Sequence, residues 1–156
     1  MHNPKVQKLE LSIREIILSI LQVFIQEFEQ RNIVVSIDNN EKRLHVDFEI
    51  LFVSLFYILE NAVKYCCDNS NFKILLKEDH NKFNVIFDML SLRIEDDEKN
   101  RLLEDGFSGK IARKLGMAGK GIGMGTTAKI LELNNAELII ESNVNPSKSI
   151  NLNGIN

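Results

Sequence analysis

Apolar positions follow two rhythms along this chain. At the start they recur at Leu9, Ile13, Ile16, Ile17, Ile20, Phe24 and Phe28, a helical spacing that predicts an amphipathic N-terminal helix over 5–31. Ile33 to Ile37 is short and β-branched, DNNEK follows as turn chemistry, and Arg43 to Val46 is expected to return as the second arm of a hairpin. Asp47 stands where an N-cap is wanted, and a long helix is expected from about Phe48 to Cys66. On a helical projection Leu51, Leu55, Ile58, Leu59 and Ala62 gather on one face, and Tyr57, Asn61, Lys64 and Tyr65 on the opposite one. That helix buries one face and presents a polar one. NFKILLK and KFNVIFD, separated by EDHN, read as two strands of a hairpin, with Asp88 closing the second.

Beyond Ser91 the pattern loosens. EDDEKNRLLEDGF predicts one short helix, and KIARKLGMAGK is basic, punctuated by glycine and without an apolar stripe, as expected of a mobile loop. Gly119, Gly121, Gly123 and Gly125 then alternate and lead into a helix with Met124, Thr127, Ala128 and Leu131 on its apolar side. A glycine-rich loop feeding a helix N-terminus lets the backbone approach a ligand and turns unpaired N–H groups and the positive end of the helix dipole toward it. This stretch taken alone serves equally well as a linker. A mobile basic segment beside an anion site predicts a lid, at about 106–120. Asn134-Asn135 is expected to end the helix, and Ala136 to Ser142 to form a strand.

The composition bounds these elements to one domain, 1–156, because 156 residues with 44% hydrophobic content can build one core and show no repeat. A net charge of −3 gives no basic field for nucleic acid. Cys66 and Cys67 are adjacent, which suits neither a disulfide framework nor a set of spaced metal ligands, and they read as reduced thiols of an intracellular protein. The longest charge-free apolar run, Ile16 to Gln26, is too short to span a bilayer. The expectation is a soluble cytoplasmic domain, either free or the cytoplasmic part of a membrane receptor.

Three separated stretches now line up: the polar helix face around Asn61, the strand-end Asp88, and the glycine loop with its helix. Their order and spacing resemble the ATP-binding fold shared by sensor histidine kinases, type II topoisomerases and mismatch-repair ATPases, the GHKL or Bergerat superfamily, over nearly the whole chain from about Leu9 to Ser142. The resemblance implies an α/β (α+β) fold, a two-layer sandwich of a mixed, mostly antiparallel sheet with helices on one face. LFYILENAVKYC looks like the asparagine box of the histidine kinases, with Glu60, Asn61, Lys64 and Tyr65 in the family's spacing. In the resemblance Asn61 holds the magnesium ion that bridges the ATP phosphates, Lys64 and Tyr65 lie near the phosphates or the adenine ring, and Asn61, Glu60 and Lys64 are the catalytic candidates. Asp88 occupies the place of the aspartate that accepts from the adenine amino group. The glycines that usually follow it are replaced by Met89, Leu90, Ser91 and Leu92. RLLEDGFSGK resembles the phenylalanine box, with Phe107 ordering the lid. Gly119, Gly121 and Gly123 resemble the second glycine box, whose backbone N–H groups at Gly121, Ile122, Gly123 and Met124 meet the phosphates while Lys120 neutralises charge.

The implied function is that of the catalytic, ATP-binding half of a sensor histidine kinase. It would present the γ-phosphate of Mg-ATP to a histidine on a separate dimerisation domain, within a homodimeric parent, and the phosphoryl group would pass to a response regulator. None of His2, His45 and His80 lies in an acceptor-like context, so the chain alone is expected to bind nucleotide without autophosphorylating. The ATPase branch of the superfamily carries a water-activating glutamate one helical turn before the asparagine. Tyr57 fills that position, and a phenol is a poor base at neutral pH; Glu60 points off the Asn61 face. Little hydrolysis is therefore expected. The degenerate box after Asp88 supports an alternative, a nucleotide-sensing or protein-interaction module with little catalytic activity.

Overall fold

The computed structural model describes residues 5–91 and 122–139. The elements in chain order are β1 (Lys8–Ser12), α1 (Ile13–Gln30), β2 (Val34–Ile37), β3 (Arg43–Asp47), α2 (Phe48–Tyr65), β4 (Asn71–Asp79), β5 (Lys82–Met89) and α3 (Ile122–Leu131), which tightens into a 3-10 turn at Glu132–Asn134. β1 and β3 form an antiparallel ribbon, while β2, β4 and β5 form a sheet in that order, β2 parallel and β5 antiparallel to β4. Leu59 and Val63 of α2, Ile17 and Ile20 of α1, Phe72 and Ile74 of β4 and Leu131 of α3 belong to one core cluster. Helices therefore cover one face of the sheet and the other face is left to solvent, a mixed two-layer α/β arrangement.

The starts of α1 and α2 are fixed chemically. The Ser12 hydroxyl accepts from Glu15 N–H at 3.3 Å, and the Asp47 carboxylate accepts from Ile50 N–H at 3.1 Å, so both helices begin on side-chain N-caps. Asp47 does more than cap. Its other oxygen accepts from Gln7 N–H at 2.7 Å, and its own N–H donates to the Asn134 side chain at 3.0 Å. The buried Asp47 thereby joins the ends of β1, β3, α2 and α3, and the bonds from Gln7 and Ile50 hold its carboxyl below the ordinary aspartate pKa.

Two sequence expectations are corrected. The N-terminal helix does not reach back to residue 5: residues 8–12 are the strand β1, and the helix starts at Ile13 behind its Ser12 cap. Ile33–Ile37 and Arg43–Val46 do not pair as a hairpin. β2 instead runs parallel to β4, and β3 pairs with β1. Asp38 shows why: its N–H donates to Ile74 O at 3.0 Å and its carboxylate accepts from Leu76 N–H at 3.0 Å, so the chain leaving β2 is tied to β4 rather than turned back. The β4–β5 hairpin forms as expected, its turn at His80 and Asn81, both at positive φ. Asn135, at φ 56°, ends the helical segment. Of the expected strand at Ala136 to Ser142, residues 136–139 carry no strand pairing and the remainder lies outside the described residues. The short helix after Ser91 and the lid at 106–120 also lie outside them. Among the described residues, no helix is long and apolar enough to cross a membrane.

Candidate functional site

The site is assembled by α2, α3 and the end of β5. Leu51, Leu55, Leu59, Ala62 and Val63 of α2 are buried, Tyr57 and Glu60 are exposed, and Asn61, Lys64 and Tyr65 are half-buried at the edge of the apolar stripe. Two devices hold this last turn in place. The Arg31 guanidinium, carried just past α1, donates to the carbonyls of Val63 and Cys66 and pairs with Asp68 at 2.6 Å, capping the C-terminus of α2 with positive charge. Cys67 N–H donates to Leu90 O at 2.8 Å and Cys66 bridges Ser91, which binds the same end of α2 to the end of β5. Sequence reasoning missed the Arg31 clamp. Its partners lie more than thirty positions away, and no local pattern marks such a contact.

α3 packs against α2 through Met124, Thr127 and Leu131, which are buried at helical spacing. The Asn134 side chain, just past α3, meets the backbone of Asp47 at the start of α2, so the two helices run in opposite directions. Ile122 to Asn134 spans about 18 Å of helix axis, and the same rise from Asp47 along α2 reaches about Leu59. The first turn of α3 therefore comes level with the turn of α2 around Leu59 and Asn61, with Lys64 about one turn further on. Ile122, Gly123 and Met124 open α3, and their N–H groups lack an intrahelical acceptor.

The polar groups at this convergence are few. Among the described residues none hydrogen-bonds the Asn61 carboxamide. Lys64 Nζ lies 5.2 Å from the centre of the Tyr65 ring, a cation–π contact. Burial pushes the Lys64 ammonium below the ordinary lysine pKa, and the nearby Glu60 carboxylate pulls it back up. Cys66 and Cys67 are buried, and burial raises both thiols, so neither is a reactive thiolate. No cluster of three or more His, Cys, Asp or Glu able to hold a metal occurs among the described residues.

Asp88 is not brought to this convergence. Phe83, Val85, Phe87 and Met89 of β5 face the core, whereas Asn84, Ile86 and Asp88 are exposed on the outer face of the sheet. Asp88 lies across from the exposed Lys73 of β4, and Met89 lies across from the buried Phe72. The residue that β5 presents on the helix side, beside the end of α2, is therefore Met89. Phe107, Gly119, Lys120 and Gly121 lie outside the described residues.

The chain matches no protein-family model and no curated protein sequence. Among solved structures it is similar to the catalytic domain of histidine kinase ThkA, with a TM-score of 0.69, 22% identity and 82% of each chain covered. It is similar to the mycobacterial sensor histidine kinase MprB, with a TM-score of 0.66, 15% identity, and 84% of this chain and 81% of that one covered. It is also similar to ThkA in its complex with the response regulator TrrA, with a TM-score of 0.59, 22% identity, and 70% of this chain and 34% of that one covered. The fold of the chain is that of histidine kinase catalytic domains.

Proposed function

We propose that this chain is the Mg-ATP-binding catalytic domain of a histidine kinase. The observation that carries the reading is the packing of α3 against α2, which brings the first turn of α3 level with about Leu59, close to Asn61, on the fold of histidine kinase catalytic domains. The donor set suits magnesium bound through a nucleotide. Asn61 offers one amide oxygen with no carboxylate cluster among the described residues, so phosphate oxygens and water would complete the octahedron that Mg²⁺ prefers. The ion, when bound, neutralises charge on the β- and γ-phosphates. The N–H groups of Ile122, Gly123 and Met124 would take phosphate oxygens at the positive end of α3, and the partly desolvated Lys64 would add a cation. Tyr65 braces Lys64. Glu60 is exposed and has no assigned partner in the chemistry.

Phosphoryl transfer then needs a histidine from another domain. Its imidazole nitrogen attacks the γ-phosphorus while the bond to the β–γ bridging oxygen breaks, leaving ADP. This chain contributes position and charge. The parent protein is read as a cytoplasmic homodimer, or one with cytoplasmic kinase domains, that passes the phosphoryl group to a response regulator, the kind of partner with which ThkA was solved. Calorimetric titration tests the reading: Mg-ATP binds, and chelating the metal or substituting Asn61→Ala weakens binding more than about tenfold. Absence of binding by the unmodified chain contradicts it. That result would leave only an interaction module out of the second reading, a degenerate nucleotide-sensing or interaction module, which draws support from the outward Asp88 and the missing glycines behind it.

A further inference from the structure

We infer that base selection at this site does not rest on Asp88, and that Met89 stands where the base would lie, so that the domain takes magnesium nucleoside triphosphates with little discrimination between adenine and guanine. The inference rests on the nucleotide-binding reading above and specifies its substrate class.

Strand parity carries it. Successive residues of a strand point to opposite faces, and Phe87 and Met89 belong to the helix-side set of β5, packed on the core with Phe72. Asp88 falls in the other set, with Ile86 and opposite Lys73, separated from Asn61 by the thickness of the sheet. A ligand held by the ends of α2 and α3 meets the Met89 side of β5, because α2 packs on the core face to which Phe87 and Met89 belong, and the Cys67 N–H to Leu90 O bond and the Cys66–Ser91 bridge bring the end of β5 beside the end of α2.

The chemistry of the two side chains differs in kind. A carboxylate accepts from the exocyclic amino group of adenine and repels the carbonyl that guanine carries in its place, so it selects. A thioether is a weak acceptor and a polarizable surface against which either ring can pack, so it does not.

The test is a pair of calorimetric titrations, with Mg-ATP and with Mg-GTP, on the unmodified chain and on Asp88→Asn, an exposed substitution that leaves the core untouched. The expected result is affinities for the two nucleotides within about fivefold of each other and no change in either for Asp88→Asn. A larger preference for Mg-ATP, or weaker Mg-ATP binding by Asp88→Asn, overturns the inference and leaves the nucleotide-binding reading standing. Binding of neither nucleotide overturns both. Met89→Asp is expected to create a preference for Mg-ATP of about tenfold. An Mg-ATP preference unchanged in a folded Met89→Asp protein also counts against the inference, and if that variant does not fold, the unmodified chain and Asp88→Asn decide the matter.

Discussion

The proposed phosphate side, on α2, and the proposed base side, on β5, are built on different periodicities, and they tolerate error differently. On α2 residues three and four apart share a side, so Asn61, Lys64 and Tyr65 stay together near one edge of the apolar stripe wherever the helix begins, and a displacement of one residue turns a side chain by about 100°. On β5 the same displacement carries a side chain through the sheet. Asp88 and Met89 are neighbours in sequence, yet one faces solvent across from Lys73 and the other packs over the core across from Phe72. A helical motif can thus be read from spacing alone, whereas a strand motif also needs parity.

The largest expected effect breaks or confirms this parity. Phe87 stacks on Phe72 with ring centroids 6.1 Å apart, and Phe72 in turn stacks on Phe28 of α1 at 5.5 Å. Phe87→Ala is expected to cost about 2–3 kcal/mol of stability in denaturant titration, below the roughly 3–5 kcal/mol of a fully buried phenylalanine because the ring is only half-buried. Ile86→Ala, one position away on the outer face, is expected to cost less than about 1 kcal/mol. Equal losses would mean that β5 is turned over, with Asp88 on the helix side.

A smaller effect sharpens the phosphate side. Lys64→Ala is expected to weaken Mg-ATP binding by about tenfold and to leave the fold intact. Its pH dependence follows from its position. Burial disfavours the charged form, so the folded pKa lies below the unfolded one; the fold is penalised while the pH is below the folded pKa, and the penalty is relieved as pH rises through it. Nucleotide phosphate reverses the preference and favours the ammonium. Affinity should therefore fall as pH rises through a range where an ordinary lysine, of pKa about 10.4, is still charged. In Lys64→Ala this fall should be absent, and a pH profile identical to that of the unmodified chain would remove Lys64 from the site.

Much of this arrangement was legible in the sequence. The Asp47 cap, the apolar stripe of α2, the hairpin around His80-Asn81 and the stop at Asn135 all rest on local chemistry, and the structure has each of them, although Asn61, Lys64 and Tyr65 lie half-buried at the edge of that stripe rather than opposite it. The non-local features were not legible. β2 lies parallel to β4 because the Asp38 backbone and carboxylate bond to Ile74 and Leu76, which a turn-like DNNEK gives no means of foreseeing. The Arg31 clamp and the Asn134–Asp47 bond join positions far apart in the chain, and they set the level of α3 against α2. The outward side of Asp88 is a different case. The alternation of Phe83, Val85, Phe87 and Met89 lies in the sequence and assigns Asp88 to the polar face, whereas its place at the strand end matches the family's motif.

The central claim is that nucleotide meets the α2 and α3 ends on the helix side of the sheet. Backbone amide shift mapping by NMR with Mg-ATP tests it most directly. The account predicts the largest shifts at Asn61 to Tyr65 and at Ile122 to Met124, with Lys73, Ile86 and Asp88 little changed. Shifts concentrated on the outer sheet face, with α2 and α3 silent, would contradict it.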